Sequence, residues 1–158
     1  MNSALERLLG LRVKDVMNGE VAALSEDLTM DEAAQLLVEQ MVSGAPVVDK
    51  LGRCVGVLTA TDFLRYDIPH REEPPTEVRA AGGNASTASA SCAMNAKVAA
   101  WMVRSVETIH TDDSILSAAR RMCGSHIHRL FVTDDEGKPI GVVSTLDLVS
   151  AMVLAFEE

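Results

Sequence analysis

Aromatic residues, cysteines and basic residues are the scarce components of this chain of 158 residues. Phe, Trp and Tyr together make up 3% of it, although its hydrophobic fraction is 47%. Any core therefore has to be aliphatic, built mainly from Ala, Val, Leu and Met. The three cysteines, Cys54, Cys92 and Cys123, form no C-x-x-C pair. This spacing argues against a disulfide framework and against a closed zinc site.

Positive charge is also in short supply, because 14 Lys and Arg residues face 23 Asp and Glu residues and the net charge is −9. Such a surface repels phosphate backbones and anionic lipids, although a local basic pocket stays compatible with it. No apolar run approaches the roughly 18 residues of a membrane-spanning helix. Residues 1–12 predict a short amphipathic helix without the features of a signal peptide. We therefore expect a cytoplasmic protein with no nucleic-acid partner and no membrane partner.

What the chain does contain is an internal repeat. Shifting the C-terminal half back onto the N-terminal half aligns two stretches without a gap, and glycines fall into register along with apolar and acidic residues. Among the matched pairs are Val13 and Val98, Met17 and Met102, Asp27 and Asp112, Gly56 and Gly141, and Asp62 and Asp147. Agreement of this kind indicates the duplication of one unit.

Each copy of the unit reads as β-α-β-β-α. Thr29 and Glu32 have the spacing of a capping box, which begins the first helix of copy one, and Ser114 begins the equivalent helix of copy two. The segment Asp49–Gly52 is typical of a turn between two strands. The last helix of each copy is expected to start at Thr59 or at Ser144. The predicted strands cover residues 21–24, 45–48 and 54–58 in copy one and residues 106–109, 130–133 and 140–143 in copy two.

A break in composition separates the two copies. Residues 80–91 are almost all Ala, Gly, Ser, Thr and Asn, so they have little to bury and predict a mobile linker. The predicted fold class is α/β, with two β-α-β-β-α repeats packed side by side in pseudo-two-fold symmetry. The predicted organisation is an N-terminal helix (1–12), a first domain (13–70), a flexible linker (71–95) and a second domain (96–158).

The repeated unit carries an ordered set of motifs. These are Val-Lys-Asp-Val-Met (13–17), Ala-Pro-Val-Val-Asp (45–49) and Gly-Val-Leu-Thr-Ala-Thr-Asp (56–62), with His-Arg-Leu-Phe-Val-Thr-Asp (128–134) and Gly-Val-Val-Ser-Thr-Leu-Asp (141–147) in copy two. The set resembles a tandem pair of CBS (cystathionine-β-synthase-type) domains, a Bateman module. This resemblance implies a stand-alone regulatory module that binds adenine nucleotides (AMP, ADP, ATP or S-adenosylmethionine) in clefts between the copies. Many members of the family dimerise, and the apolar face of the last helix, which includes Val149, Val153 and Phe156, predicts a homodimer here. No required cofactor is expected.

Two segments pair a hydroxyl at a predicted helix start with a carboxylate three residues later. They are Thr59 with Asp62, followed closely by Thr61, and Ser144 with Asp147. The residues alone are explained by a helix cap, with the acid favoured by the helix dipole. The alternative is that each carboxylate accepts both hydroxyls of a ribose while the neighbouring hydroxyls and N–H groups bind phosphate. The resemblance favours this second role.

His128 and Arg129 are the candidates for the phosphate end of a ligand, because an imidazole and a guanidinium fork suit phosphate oxygens. Copy one has Ser43 and Gly44 at the corresponding positions, so the two clefts are expected to differ. We expect His128 and Arg129 to share one cleft with the Ser144–Asp147 cap, and this cleft to carry most of the binding.

The resemblance further places Val21, Ala22, Val106 and Val142 at apolar walls for the base, although the same residues suit an ordinary core. Two other functions stay open: a ligand-free dimerising adaptor, and a metal or redox sensor that uses Cys123 with neighbouring histidines in a C-x-x-H-x-H pattern. No nucleophile pairs with a base and an orienting group, and no Gly-rich phosphate loop is present. The chain is therefore not expected to be an enzyme, and the effector protein that it regulates is unknown.

The composition of the predicted linker leads to a first test. Residues 76–93 should be mobile in solution and dispensable for folding, because almost nothing in them can be buried. Hydrogen exchange followed by mass spectrometry should show full exchange of their amides within the shortest labelling time. Slow exchange throughout this stretch would mean that it is part of the folded core.

Overall fold

The computed structural model describes residues 3–67 and 96–157, and these residues form two copies of one α/β unit. The N-terminal part contains α1 (Ser3–Gly10), α2 (Val13–Val16), β1 (Leu24–Ser25), α3 (Met30–Glu39), β2 (Gly44–Val48), β3 (Cys54–Thr59) and α4 (Ala60–Asp67). The C-terminal part contains α5 (Val98–Trp101), β4 (Thr108–His110), α6 (Ile115–Ser125), β5 (Arg129–Thr133), β6 (Pro139–Ser144) and α7 (Thr145–Glu157). The predicted fold class is confirmed, and the predicted linker lies outside the described residues.

Each repeat has a three-stranded sheet of the same topology. In the first repeat β1 pairs in parallel with β2, and β2 pairs antiparallel with β3. The second repeat uses β4, β5 and β6 in the same way. A parallel pair needs a crossover connection, and α3 and α6 supply it. The antiparallel pairs are joined by the predicted turns, in which Gly52 and Gly137 have φ of 79° and 80° and so use a conformation that favours glycine.

The capping box predicted at the start of α3 is present. The Glu32 N–H donates to Thr29 Oγ1 at 3.2 Å, and the Thr29 N–H donates to the Glu32 carboxylate at 2.9 Å. The bond from the Thr29 backbone is the main reason why the pKa of Glu32 lies below its ordinary value. Ser114 caps α6 in the same position, where its hydroxyl accepts from the Ser117 N–H at 3.1 Å.

The first strand of each repeat is shorter and later than predicted. The ladder begins at Leu24 rather than at residue 21, and at Thr108 rather than at residue 106. The reason lies in the segment that precedes each first strand, residues 11–23 and 96–107, here called the lead-in segment. Each lead-in segment packs against the other repeat, so the chain has to return from there before it can pair in its own sheet.

The two lead-in segments are thus exchanged between the repeats, and each one contributes a side chain to the hydrophobic core of the other repeat. Val13 on α2 is fully buried among Ile109 and Leu130 of the second repeat. In the reverse direction, Val98 on α5 is fully buried among residues of the first repeat, including Leu24. Neither core is complete without a side chain from the other repeat.

Backbone hydrogen bonds fix the same exchange. The Val13 N–H donates to the Asp113 carbonyl at 2.8 Å. Two antiparallel bridges extend the sheets: Asn18 exchanges hydrogen bonds of 2.9 Å with Val142 on β6, and Val103 does the same with Val57 on β3. Each lead-in segment thus acts as a one-residue extension of the opposite sheet.

The matched glycines Gly56 and Gly141 lie where the lead-in segments cross the sheets. A Cβ on Gly141 would lie 2.8 Å from the Asn18 carbonyl oxygen and 3.0 Å from Met17 Sδ. A Cβ on Gly56 would lie 2.5 Å from Met102 Sδ and 3.1 Å from the carbonyl oxygen of the residue after it. The repeat preserves glycine here because a backbone of the other copy occupies the space of a side chain.

This crossing gives a stability test. Gly141→Ala should lower the free energy of unfolding by about 1–3 kcal/mol, because the new methyl group meets a backbone oxygen that is held by a bridge. Gly124→Ala is the matched control: a Cβ there meets nothing within 4 Å, and alanine should stabilise α6 by about 0.5–1 kcal/mol. Urea unfolding monitored by circular dichroism measures both. Equal effects of the two substitutions would contradict a specific close approach at Gly141.

Candidate ligand-binding site

A cavity of about 760 Å³ opens between the two repeats and is lined by residues of both. The first repeat contributes the start of β2, the end of β3 and the first turn of α4. The second repeat contributes its lead-in segment and the connection from α6 to β5. The volume lies in the range that small-molecule sites occupy, about 300–1,000 Å³.

Asp62 forms the acidic corner of this cavity, and its residue is only 5% exposed. The backbone N–H and the hydroxyl of Thr59 donate to its Oδ2 at 2.8 and 2.9 Å. The predicted cap is therefore present and uses one carboxylate oxygen. The other oxygen, Oδ1, lies 3.7 Å from the Arg65 guanidinium. This oxygen is the one left to accept hydrogen bonds from a ligand.

His128 and Arg129 form the basic side of the same cavity. The start of β5 is held in place because Arg129 pairs with Ser144 in the ladder and the Thr145 N–H donates to the His128 carbonyl at 3.0 Å. The Arg129 guanidinium reaches across to the first repeat and donates to Ser43 Oγ at 3.2 Å. Within residues 3–67 and 96–157 no carboxylate lies within ion-pair distance of Arg129, so its charge is available to an anionic ligand.

The apolar side chains that line this cavity are Val106, one of the residues expected at a base site, and Val57, Val103 and Phe131. Two of these residues, Val57 and Val103, also form the bridge between the repeats. The wall is therefore part of the junction itself, and it stands on backbone that both repeats hold.

The expected grouping of the site residues is wrong. The structure combines His128 and Arg129 with Asp62, Thr59 and Thr61 of the first repeat, and not with the cap of the second repeat. The physical reason is the direction of the connection before β5, whose side chains extend across the junction.

Asp147 lies instead in a separate cavity of about 430 Å³ between α7 and the N-terminal helices α1 and α2, where Arg7 and Asp15 are among its neighbours. Its Oδ2 accepts from the backbone N–H and the hydroxyl of Ser144 at 2.7 and 2.6 Å, so the second cap is built like the first. Arg7 also lines this cavity and donates to the Ala155 carbonyl at 2.9 Å.

The remaining predicted wall residues are also separated from the first cavity. Val21 and Ala22 line a third cavity of about 700 Å³ together with residues of α3, among them Leu36. Val142 holds the Asn18 bridge. The predicted wall residues Val21 and Ala22 thus line a different cavity from Val106.

Sequence reasoning missed three charged or titratable residues of the inter-repeat cavity: Arg65, Glu107 and His126. Arg65 follows Asp62 by one helical turn, a spacing that could have identified it. His126 precedes His128 by two residues but was considered only as a metal ligand. Glu107 gave no signal, because it stands where copy one has an alanine.

The metal and redox alternative gains no support from the part of the chain that the structure describes. There, no group of three or more His, Cys, Asp or Glu side chains is arranged to hold a metal ion. Cys123, the cysteine of this alternative, is exposed. Cys54 is half-buried, and burial raises the pKa of its thiol, which disfavours the reactive thiolate at that position. Among the same residues, no helix has the length and apolar character needed to cross a membrane.

The chain is similar in sequence to a known domain family and to several curated proteins. The family model of the CBS domain matches residues 13–68 and 98–154. A curated relative is the protein MJ1426 of Methanocaldococcus jannaschii, which is 30% identical over 89% of this chain and 90% of its own length. Other curated relatives are longer, and the chain spans 42% and 27% of two of them.

Two solved structures share the fold. CBSX2, in complex with AMP, has a TM-score of 0.71 and 26% identity and covers 94% of this chain and 100% of its own. The CBS domain pair of MJ0100, in complex with 5′-methylthioadenosine and S-adenosylmethionine, has a TM-score of 0.69 and 20% identity and covers 94% and 98%. Both matches extend over the two repeats together.

Proposed function

The chain belongs to the CBS domain family, and on this premise we propose that it is a regulatory module that binds an adenine nucleotide in the cavity between its repeats. One observation carries the proposal: a single cavity joins a buried, oriented carboxylate, Asp62, to the cationic pair His128 and Arg129. In a bound nucleotide, the ribose hydroxyls would donate to the carboxylate, and the phosphate would accept from the cationic pair.

The acidic, basic and apolar residues of the cavity correspond to the ribose, the phosphate and the base of such a ligand. A ribose diol would donate to Asp62 Oδ1, the oxygen that the Thr59 cap leaves unused. The phosphate would accept from Arg129 and from the N-terminus of α4, where Thr61 supplies a hydroxyl. The base would lie on the wall formed by Val106 and Phe131.

The AMP bound to CBSX2 supports this choice of ligand, since that protein shares the fold over nearly the whole of this chain. The ligands of the MJ0100 pair are adenosine derivatives as well. The charge of Arg129 favours a ligand that carries a phosphate. Arg129 has no ion-pair partner among the described residues, so its guanidinium can attract an anion even though the protein has a net charge of −9.

Binding at this junction offers a regulatory output without catalysis. The ligand would contact β3 and α4 of one repeat and β5 of the other, so its affinity depends on how the repeats are packed. A ligand that prefers one packing shifts the population toward it by its difference in affinity. The partner that reads this change would be an effector protein.

The proposal is tested by ligand-dependent stabilisation. AMP at one hundred times its Kd adds about 2.7 kcal/mol, which corresponds to several degrees in Tm for a protein of this size. Asp62→Asn, which keeps an acceptor for the Thr59 cap, should remove most of this shift. Arg129→Ala should weaken AMP much more than adenosine, because the guanidinium recognises the phosphate. Differential scanning fluorimetry with AMP, ADP, ATP, S-adenosylmethionine and adenosine gives the comparison.

Asp147→Asn is the matched control, because it makes the same change in the equivalent cap outside this cavity. It should keep the AMP shift of the unchanged protein. If Asp147→Asn removes the shift and Asp62→Asn does not, the assignment of the cavity is wrong. If none of these ligands at millimolar concentration moves Tm, the sensor function is wrong and the adaptor alternative takes its place.

We also propose a homodimer, because α7 exposes an apolar strip on the side away from α1. Val149, Met152, Val153 and Phe156 line a shallow groove there, and between 47% and 66% of each residue is exposed. A strip of this kind on a small protein marks an interaction surface. A second copy can cover it by packing the same helix against it, which satisfies two-fold symmetry.

The dimer is tested by sedimentation velocity across a wide range of concentrations. The unchanged protein should sediment as a dimer, and Val153→Glu should shift it to the monomer, since a charge in an apolar interface loses its hydration. Val38→Glu on α3 is the control, because Val38 is 76% exposed but lies outside the groove. A monomer at every concentration would contradict the proposal.

A further inference from the structure

Two histidines, His126 and His128, are among the described residues that line the inter-repeat cavity. Both are exposed, and they flank the connection that delivers Arg129 to the start of β5. Imidazole is the side chain that ordinarily gains or loses a charge between about pH 5 and 8. The proposed phosphate end of the cavity therefore contains the guanidinium of Arg129 and two imidazole rings.

The backbone conformation at His126 is shared with the first repeat, where a different residue type stands. His126 is the C-cap of α6 with a φ of 52°, a left-handed conformation that favours glycine or asparagine. Met41 occupies the equivalent place in the first repeat with the same φ, and it is 92% exposed. The two repeats thus share the backbone conformation, but only the second places an imidazole on the cavity.

In the part of the chain that the structure describes, both imidazoles lack a side-chain partner. Among residues 3–67 and 96–157, the side chains of His126 and His128 make no hydrogen bond and no ion pair. This distinguishes them from Asp62, which is already held by Thr59 and faces Arg65. Their ring nitrogens stay available to whatever fills the cavity.

Four other charged side chains line the cavity with the imidazoles. Arg129 on β5 and Arg65 on α4 are positive, while Asp62 on α4 and Glu107 before β4 are negative. Asp62 is paired with Arg65, and the Glu107 carboxylate accepts a long hydrogen bond of 3.5 Å from Ser125. A phosphate that enters would bring the largest negative charge to the two rings and would favour their protonated form.

We propose that binding of a phosphate ester in this cavity is linked to proton uptake by His126 and His128, so that the protein binds its ligand more tightly as the pH falls. The inference rests on the proposed function and adds a regulatory variable to it. The nucleotide sensor is then also a sensor of pH in the near-neutral range.

The direction of the pH dependence follows from the linkage between ligand binding and protonation of the imidazoles. The ligand prefers the charged rings, so the gain in affinity is fully present where both rings are already protonated and is lost as the pH rises and they stay neutral in the complex. Each proton taken up changes the affinity by at most about tenfold per pH unit. The second ionisation of a phosphate ester, near pH 6, acts in the opposite direction, because it removes a charge from the ligand at low pH.

The experiment is isothermal titration calorimetry with AMP between about pH 6.5 and 8, the range in which an ordinary imidazole changes charge. Each pH is measured in two buffers of different ionisation enthalpy, which gives the number of protons taken up. The variants are His126→Gln, His128→Gln and the double variant. His110→Gln is the control, because His110 ends β4 outside the cavity lining.

For the unchanged protein and for His110→Gln, we expect the Kd for AMP to fall about tenfold or more from pH 8 to pH 6.5, with net proton uptake. The double variant should show a flat or reversed dependence, and each single variant an intermediate one. The titration of AMP itself cancels in this comparison, since every protein meets the same ligand. Adenosine should bind with little pH dependence in all of them.

Two results would overturn the inference, and they differ in what they leave standing. If AMP binds but the double variant keeps the pH profile and the proton uptake of the unchanged protein, the linkage is wrong and the nucleotide site remains. If AMP fails to bind at every pH, the proposed function fails and the linkage fails with it. Unliganded Tm values show whether a variant has lost its fold, and the single variants then decide the outcome.

Discussion

The exchange of lead-in segments between the repeats is the contact on which the rest of this structure depends. Val13 completes the core of the second repeat, and Val98 completes the core of the first. Burial of an aliphatic side chain of this size stabilises by about 1.5–3 kcal/mol, and here each such gain requires the other copy. Two short units, each with only three strands, thereby become one folded body.

The same exchange creates the candidate site. The crossing of the second lead-in segment over Gly56 brings Val103 into a bridge with Val57, and the chain continues from there along the cavity wall to Val106 and Glu107. A bulkier residue than glycine at the crossing would push this wall outward. The close approach of two backbones and the position of the ligand cavity are consequently one feature of the fold.

Duplication produced two similar halves, but their chemistry has diverged at the junction. The second repeat presents His126, His128 and Arg129, where the first has Met41, Ser43 and Gly44. On the other side, the Asp147 cap faces α1 and α2 instead of a cationic wall. The two halves of the pseudo-symmetric pair therefore surround their equivalent caps with different side chains.

Much of this protein was determined by local sequence and could be predicted from it. Capping residues, turn glycines and alternating apolar runs act on near neighbours, so the Thr29 and Glu32 box, the turn at Gly52 and the duplication follow from the chain alone. The sequence also named Asp62, His128 and Arg129, which line the inter-repeat cavity. The grouping of these residues does not follow from the chain alone, because it depends on which side of the junction each side chain extends toward. Only the tertiary structure placed Arg129 beside Asp62, more than sixty positions earlier, and not beside the cap of its own repeat. The reason is that the lead-in segments cross between the repeats, a long-range constraint that no local pattern records.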